Sequence, residues 1–311
     1  MCARAQHLLA RFPRTYNDAM PNFVHLHVHS HYSLLDGLGK IPEILDRVQE
    51  LGMRAVALTD HGVLHGLVEF WEEARKREIR PILGVEAYLV PDRKRARESP
   101  VSEKTIRHLT ILAENTGGYR NLLKLVSDAH LHGFYRKPCI DYATLRAHAD
   151  GLIVLSGCIN GDLPQAIVRG DHAEADRLVR WHLDVFGRER FFLELQHHPT
   201  LPEQQKVNHE IQTFARQYGI GLVATGDAHY VRREDAEAQD VLLCVQTGTK
   251  LTDKDRLSML GEDFSLQPSE HFAEAFRDVP GALENTLRIA ERCAVELTFG
   301  QLVLPAFPLP D

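Results

Sequence analysis

The chain has 311 residues, of which 44% are hydrophobic and 25% are charged, and its formal net charge is −7 at pH 7. No apolar stretch approaches the roughly 18 residues that a membrane-spanning helix requires, and the first 19 residues lack the apolar core of a secretory signal peptide. The five cysteines are odd in number and include no C-x-x-C pair, which disfavours a disulfide framework. These features predict a protein of the reducing cytoplasm with no membrane partner.

The two ends of the chain differ in composition from its middle. Residues 1–22 are rich in arginine, contain Pro13 and end at Met20-Pro21 directly before an apolar run. We predict a flexible N-terminal extension there, with Met20 as an alternative start. Residues 296–311 end in an alternation of proline and apolar residues, which is typical of a linker toward a further domain. The folded domain is therefore predicted over residues 23–295.

Apolar runs alternate with helical patterns through the predicted domain. The runs cover residues 23–29, 55–60, 81–89, 108–113, 151–157, 191–196 and 220–226. Helices are predicted over residues 41–51, 67–77, 119–130, 173–186 and 203–218, and several of them are followed by a glycine that stops the helix. Two stretches break the alternation, a charged loop at 91–105 and an irregular segment at 246–272. Seven strands separated mainly by helices predict an α/β protein with a parallel sheet, closed into a barrel.

Three of the apolar runs end in side chains that bind metals. The first ends in His27 and His29, the second ends in Asp60 and is followed by His61, and the last is followed by Asp227 and His229. Positions i and i+2 of a strand share a face, so His27 and His29 point the same way, and so do Asp227 and His229. Strands that deliver such side chains at their carboxyl ends build the active sites of β/α barrels. The pattern predicts one multi-metal hydrolytic centre.

Two neighbours of these residues are assigned other roles. Asp60 and His61 are adjacent and would face opposite sides of a regular strand, so His61 is the predicted ligand. Asp60 is expected to orient a neighbouring side chain. His25 shares the parity of His27 but lies deeper in its run. We therefore expect His25 to be a buried, hydrogen-bonded core histidine.

Further candidates are weak when each is taken alone. They are Asp36, Glu86, His108, Cys158, Glu194 and the pair His197-His198. A single Asp before Gly is usually a turn residue, and a single buried cysteine usually packs as a small hydrophobe. His108 fits least well as a ligand, because it begins its apolar run where the others end theirs. Glu194 and the histidine pair belong to the sixth strand and its exit, where either a substrate-binding or a structural role is open.

Five motifs together resemble the polymerase and histidinol phosphatase (PHP) family. They are HLHVHS-x-YSLLDG at 25–37, LTDHG at 58–62, PILGVEAY at 81–88, GFYRKP at 133–138 and LSGC at 155–158. Within the family, they are similar to the N-terminal PHP domains of bacterial DNA polymerase III alpha subunits. The resemblance covers residues 23–308 and implies a distorted seven-stranded β/α barrel with its metal site at the carboxyl ends of the strands.

The resemblance also implies two to three divalent metals held by nine ligands. The nine are His27, His29, Asp36, His61, Glu86, His108, Cys158, Asp227 and His229. One metal would be held by His27, His29, Glu86 and Asp227, a second by Asp36, His61 and His229, and a third by Glu86, His108 and Cys158, so that Glu86 bridges. Asp36, Glu86 and Asp227 would be catalytic through these metals. Imidazole, carboxylate and thiolate ligands favour zinc, manganese or iron.

The implied activity is metal-dependent phosphodiester hydrolysis, and more specifically a proofreading 3′→5′ exonuclease step. Clustered metals can clamp the attacking and leaving oxygens of a phosphoryl group, and bound cations would offset most of the net charge of −7. Tyr135, Arg136, Lys137 and His198 are the predicted substrate-binding residues. The implied partners are a DNA 3′ end, the rest of a polymerase alpha subunit, and other replicase subunits including a separate proofreading exonuclease.

Two alternative functions remain open on the sequence. The domain could be a metal-stabilised structural or docking module of the polymerase with little catalysis of its own. It could also be a small-molecule phosphatase of the histidinol phosphate type. The polymerase-like segment 133–138 and the linker-like end disfavour the phosphatase.

Overall fold

The computed structural model describes residues 23–93, 105–302 and 304. The predicted N-terminal extension, most of the predicted charged loop and most of the end of the predicted linker lie outside the described residues. The proposed domain boundaries therefore stay predictions.

The strands of the described residues form a single curled sheet. They are β1 (Ala55–Leu58), β2 (Arg80–Val90), β3 (Arg107–Ala113), β4 (Phe134–Tyr135), β5 (Lys137–Asp141), β6 (Leu152–Leu155), β7 (Phe191–Gln196) and β8 (Gly221–Thr225). Their order is β4-β5-β2-β3-β6-β7-β8, and β1 also pairs with β2. Six of these strands coincide with predicted apolar runs, because a strand buried on both faces is apolar throughout.

Helices cover the sheet and follow the predicted pattern. In the described part of the chain they are α1 (Ile41–Glu50), α2 (Leu67–Lys76), α3 (Thr116–His132), α4 (Tyr142–Ala147), α5 (Asp162–Val168), α6 (His172–Arg190), α7 (Pro202–Tyr218), α8 (Ala236–Thr247), α9 (Ser269–Ala275) and α10 (Glu284–Arg292). All five predicted helices are present. Gly187 interrupts α6 with a φ of 68°, and Gly219 ends α7 with a φ of 64°. Glycine adopts this left-handed conformation without a steric penalty, which is why it stops a helix. No helix among the described residues is long and apolar enough to cross a membrane.

The prediction of a wholly parallel sheet is wrong at β3. This strand runs antiparallel to both of its neighbours, β2 and β6. The pairs β1 with β2, β6 with β7, and β7 with β8 are parallel. A buried strand appears in the sequence as an apolar run whatever its direction, so the pattern could not reveal the orientation. As a consequence, the beginning of β3 lies at the edge of the sheet where the parallel strands end.

Residues 134–141 form a short hairpin that the pattern of apolar runs did not predict. Strands β4 and β5 pair across a tight turn at Arg136, which has a φ of 61°. Strand β5 then pairs in parallel with the end of β2, with Cys139 opposite Tyr88. The hairpin therefore extends the sheet beside β2.

Residues 23–29 close the sheet without forming a regular strand. Their backbone bonds to β1, through the Ala57 N–H donating to the His25 carbonyl at 2.8 Å. On the other side it bonds beyond β8, where the His29 N–H donates to the Ala228 carbonyl at 2.8 Å. The segment thus joins the first and last parallel strands, and the predicted distorted seven-membered α/β barrel is confirmed. The prediction of a regular first strand is wrong. Part of this backbone is hydrogen-bonded to side chains instead of to a neighbouring strand, as where the hydroxyls of Thr59 and Thr286 bond Val28 and Val24.

The interior of the barrel is layered. Side chains from every barrel member form an apolar cluster that includes Leu26, Ala57, Ile82, Leu112, Ile153, Phe192 and Val223, together with Ile289 of α10. On three of the strands, the buried polar residues Thr110, Glu194 and Thr225 lie two positions from members of this cluster, toward the end of the barrel where the parallel strands finish. Because side chains two positions apart share a face of a strand, these polar residues form a second layer above the apolar cluster.

Thr59 helps to hold residues 23–29 in place beside β1. Its buried hydroxyl accepts a hydrogen bond from the Val28 N–H at 3.0 Å and donates one to the Val28 carbonyl at 3.1 Å. We expect Thr59→Val, which keeps the shape, to lower the free energy of unfolding by about 1–3 kcal/mol, because the buried Val28 N–H loses its partner. Urea unfolding would measure this loss. Thr213→Val, on the exposed side of α7, is the matched control and should stay within about 0.5 kcal/mol of the unsubstituted protein. Equal stability of the two variants would contradict this role of Thr59.

Candidate metal centre

The structure brings all nine predicted ligands together at one end of the barrel. Residues 23–29 supply His27 and His29, and the following loop supplies Asp36. His61 follows β1, Glu86 lies within β2, Cys158 follows β6, and Asp227 and His229 follow β8. His108 is the second residue of β3. The antiparallel direction of β3 explains why His108 joins the centre although it begins its apolar run.

Glu86 lies at the middle of the cluster and is 1% exposed. Its Oε1 lies 3.3 Å from His27 Nε2, 3.1 Å from His108 Nδ1 and 3.3 Å from Cys158 Sγ. Its Oε2 lies 2.6 Å from His61 Nδ1 and 3.5 Å from His29 Nε2. One carboxylate therefore faces donor atoms from five other residues.

Two further carboxylates complete the cluster. Asp227 Oδ1 lies 3.2 Å from both His27 Nε2 and His29 Nε2. Asp36 lies 3.0 Å from His61 Nε2 and 3.6 Å from His229 Nε2. Asp227 has a φ of 49°, a left-handed conformation that aspartate tolerates better than most residues. Such conformations persist where the surroundings hold them, and they concentrate at functional sites.

Five buried polar atoms of this cluster make no hydrogen bond. They are His27 Nε2, His29 Nε2, His61 Nδ1, Glu86 Oε2 and Asp227 Oδ1. They nevertheless approach one another at distances between 2.6 and 3.5 Å. Buried polar groups are almost always paired, since leaving one unpaired is costly. Buried nitrogen and oxygen atoms that converge without hydrogen bonds are what a set of metal ligands presents, so the residues fit divalent cations.

Three overlapping groups within the described residues could each hold an ion. They are His27, His29 and Glu86; His29, His61 and His229; and His61, Glu86 and His108. Within each group the donor atoms lie within 4.8 Å of one another. The first group matches part of one predicted set of ligands. The other two groups combine ligands that were predicted for different metals. In one, His29 lies with His61 and His229, and in the other, His61 lies with Glu86 and His108.

Surrounding residues fix the orientation of three of the histidines. His29 Nδ1 donates to Ser33 Oγ at 2.9 Å, and His229 Nδ1 donates to the Asp227 carbonyl at 2.7 Å. His27 Nδ1 donates to Glu194 Oε1 at 2.7 Å. Each bond places a proton on Nδ1 and leaves the lone pair of Nε2 directed into the cluster, as in metal-ligating histidines generally.

Asp60 stands behind this layer, as the sequence predicted. Its carboxylate accepts hydrogen bonds from the Ser30 N–H, the Ser30 hydroxyl and the Ser33 hydroxyl. Ser33 Oγ in turn accepts from His29 and, at 3.0 Å, from the His61 N–H. Asp60 thereby orients two of the predicted ligands through one serine. The prediction for His25 is also confirmed, since this buried ring bonds the Gln267 carbonyl at 2.9 Å.

The electrostatics of the protein alone favour a neutral ring at His29 and an ionised carboxylate at Glu86. Although burial opposes it, neighbouring groups raise the pKa of His27 and His61 well above the usual value, so a cation would have to displace protons there. Burial lowers the pKa of His29 to about 3, helped by the neighbouring His61 and His229, so its ring is neutral. Burial opposes ionisation of Glu86, but His108, His61 and His27 outweigh it and hold the pKa of Glu86 well below its usual value. Burial and the carboxylates of Glu86 and Asp227 raise the pKa of Cys158 well above its usual value. A nearby cation reverses this effect, because a thiol that coordinates a metal is deprotonated.

A cavity of about 260 Å³ opens onto the cluster. Its floor includes Asp36, His61, Glu86, His108, Cys158, Asp227 and His229, and its wall includes Leu201, Leu243, Leu257, Met259 and Phe264. The segment predicted to be irregular, 246–272, contributes much of this wall. The cavity therefore combines a polar floor with an apolar side.

The predicted substrate-binding residues lie in different settings. The Lys137 ammonium lies 3.2 Å from the Tyr88 hydroxyl and 4.9 Å from the centre of its ring. Tyr88 itself stacks on His61, with ring centres 5.7 Å apart. Arg136 is exposed in the hairpin turn, and Tyr135 lies in β4. His198 is 4% exposed and packs on Phe264, with ring centres 4.5 Å apart.

The charged loop predicted at residues 91–105 lies mostly outside the described residues. One of its described residues, Arg93, forms ion pairs with Asp128 and Asp141. A role in holding α3 against β5 accounts for this arginine.

Residues 25–198 match the PHP domain family, and the chain belongs to that family. The chain is 44% identical over 289 residues to the DNA polymerase III subunit alpha of Borreliella burgdorferi and 42% identical over 301 residues to that of Thermus aquaticus. These matches cover 93% of this chain but only 25% and 24% of those proteins, so the chain spans about a quarter of their length. Among solved structures, an amidohydrolase from Chromobacterium violaceum matches with a TM-score of 0.44 at 15% identity, over 67% of this chain and 88% of that one.

Proposed function

We propose that this chain is a metal-dependent phosphodiesterase domain that removes nucleotides from the 3′ end of DNA as part of a DNA polymerase III alpha subunit. The observation that carries the proposal is the convergence of five buried, unpartnered donor atoms beneath an open cavity. Relatives named as polymerase alpha subunits support the DNA substrate. The remaining part of such a subunit, and other replicase subunits including a separate proofreading exonuclease, are the proposed partners.

Two to three divalent ions, of zinc, manganese or iron, are the proposed cofactors. The proposed sets of ligands are His27, His29, Glu86 and Asp227; Asp36, His61 and His229; and Glu86, His108 and Cys158. Bound ions of this kind ionise water and stabilise the charge on a phosphoryl group. Asp36, Glu86 and Asp227 are the proposed catalytic carboxylates, because they hold the negative charge that retains the cations. When bound to an ion, the histidines would supply nitrogen ligands through the Nε2 or Nδ1 atoms that face the cluster.

The shape of the cavity favours a terminal nucleotide as substrate. Its floor lies among the proposed metal ligands, where a phosphate would bind, and Leu257 and Phe264 of its wall offer apolar surface to a base. Lys137 places a cation next to Tyr88, which packs on His61. A phosphate adjoining the scissile one would lie within the field of this lysine. Strands of nucleic acid are commonly held by such pairing of apolar or aromatic surface with basic groups.

The test of the proposed function is a comparison of three substrates with the zinc- or manganese-loaded chain. We expect stepwise release of nucleotides from the 3′ end of a single-stranded oligonucleotide and turnover of bis-p-nitrophenyl phosphate, a diester. Turnover of p-nitrophenyl phosphate, a monoester, should be much slower. Loaded protein that cleaves neither diester would support the structural or docking alternative. Preference for the monoester would support a small-molecule phosphatase.

Lys137→Ala should weaken the binding of single-stranded DNA and reduce its salt dependence. One lost phosphate contact changes the slope of log affinity against log salt by about 0.7, so the loss is measured by titrating a labelled oligonucleotide at several salt concentrations. Hydrolysis of bis-p-nitrophenyl phosphate should be largely retained, because the variant keeps every proposed ligand. Lys124→Ala, at an exposed lysine of α3, is the matched control. An equal loss on both substrates would mean that Lys137 supports the metal centre rather than the DNA.

A further inference from the structure

We propose that Glu194 is a positioning residue of the metal centre, which holds His27 in the one tautomer that can bind a metal. This inference rests on the proposed function only in assuming that the cluster binds metals. Glu194 is not among the nine predicted ligands, and sequence analysis left its role open. It is 1% exposed and lies in the polar layer of the barrel interior.

The carboxylate of Glu194 is surrounded by hydrogen-bond donors. Its Oε1 accepts from His27 Nδ1 at 2.7 Å, from the Thr225 hydroxyl at 2.5 Å and from the Gln196 amide at 3.3 Å. Its Oε2 accepts from the Gly157 N–H at 3.1 Å and from the Thr110 hydroxyl at 3.4 Å. The two oxygens therefore satisfy donors on both sides, which a carboxylate can do and an amide cannot.

The bond to His27 determines what the other nitrogen of the ring can do. A carboxylate can only accept, so His27 Nδ1 carries a proton, and in the neutral ring Nε2 therefore keeps its lone pair. That Nε2 lies 3.3 Å from Glu86 Oε1 and 3.2 Å from Asp227 Oδ1, inside the cluster. If the proton moved to Nε2, this atom could no longer coordinate an ion. The tautomer set by Glu194 is therefore a condition for binding at this position.

Glu194 also links parts of the barrel that carry different ligands. Its contacts come from β3 through Thr110, from β8 through Thr225 and from the turn after β6 through Gly157. Gly157 immediately precedes Cys158, so the same carboxylate fixes the turn that presents the thiol. In addition, the Glu194 N–H donates to Ser156 Oγ at 2.9 Å. One buried carboxylate thus orients His27 directly and the backbone before Cys158.

Glu194→Gln is the substitution that separates this role from packing. The volume is kept, but an NH₂ group must face either His27 or Gly157. If the NH₂ group faces His27, it donates to Nδ1 and favours the tautomer with the proton on Nε2. If the NH₂ group faces Gly157, it is opposed to the Gly157 N–H, and neither group can accept the other's hydrogen bond. Changes of this kind behind a metal ligand cost about 10–100-fold in affinity. We expect a loss of zinc affinity in that range, measured by competition with a chromophoric chelator.

The tautomer of His27 is a second readout, and it can be measured in the unsubstituted protein. In the unsubstituted zinc-loaded protein, ¹⁵N NMR of the ring should show the proton on Nδ1 and the metal on Nε2. This measurement stands even if Glu194→Gln fails to fold. Glu114→Gln, at a partly buried carboxylate that pairs with Arg292 on the outside of the barrel, is the matched control and should bind zinc normally. A proton on Nε2 of His27 in the unsubstituted protein, or unchanged zinc affinity of Glu194→Gln, would overturn the proposal. Zinc affinity is measured without a DNA substrate, so failure here and failure of the exonuclease proposal are distinguishable.

Discussion

Glu86→Ala is expected to cause a larger loss of bound metal than alanine at any single histidine of the cluster. Its two oxygens face donor atoms of His27, His29, His61, His108 and Cys158 at 2.6–3.5 Å. Removing them takes a shared ligand away from more than one proposed ion and leaves the remaining ions without screening from each other. Since changes to residues behind a metal ligand already cost about 10–100-fold in affinity, loss of the bridging ligand should exceed that.

Elemental analysis of purified Glu86→Ala, together with its thermal unfolding, would measure the effect. We expect at least two metals fewer than in a fully loaded chain and a lower unfolding temperature. Glu73→Ala is the matched control, because Glu73 pairs with Lys76 and Arg77 on the outer face of α2. It should retain the full metal content. If Glu86→Ala does the same with unchanged thermal stability, the bridging role of Glu86 is wrong.

Removal of the metals should strongly destabilise the fold itself. Without cations, five buried nitrogen and oxygen atoms of the cluster have no hydrogen-bond partner. The carboxylates of Glu86 and Asp227 then share the neighbouring rings of His27 and His29. A ligand that binds only the folded state stabilises it by about 4 kcal/mol when its concentration is 1,000 times its dissociation constant. With two to three ions, we expect chelation to lower the free energy of unfolding by at least that amount.

Urea unfolding before and after treatment with a chelator would show this difference. Adding zinc or manganese back should restore the original midpoint, which separates loss of metal from damage by the chelator. The same titration on Glu86→Ala should show a much smaller response, because that variant has less metal to lose. An unsubstituted protein with identical midpoints in both conditions would exclude a stabilising metal centre.

The sequence predicts the core of the site because spacing in a strand fixes which side chains share a face. That rule paired His27 with His29 and Asp227 with His229, and both pairs do meet, although the first lies in an irregular segment and the second lies beyond the end of β8. Motif resemblance was needed for Asp36, Glu86 and Cys158, whose residue types are common in turns and cores. His108 could not be placed from its pattern, since an apolar run does not encode the direction of its strand.

The contacts that support the ligands were the least predictable part. Glu194 was a candidate on the sequence, as a carboxylate between Leu193 and Leu195 in a predicted strand, but its role stayed open. What it bonds depends on Thr110, Gly157 and Thr225, which are distant in the sequence and meet only when the barrel closes. The hairpin at 134–141 was missed for a related reason, because strand β4 has only two residues and gains its structure from pairing with β5.

Metal content is the measurement that tests the multi-metal centre most directly. The chain would be purified without chelator, loaded with zinc or manganese, freed of excess ions and analysed for metal and protein together. We predict two to three tightly bound ions per chain. A chain that retains none, or only one, after loading would contradict a centre in which nine converging side chains serve as ligands.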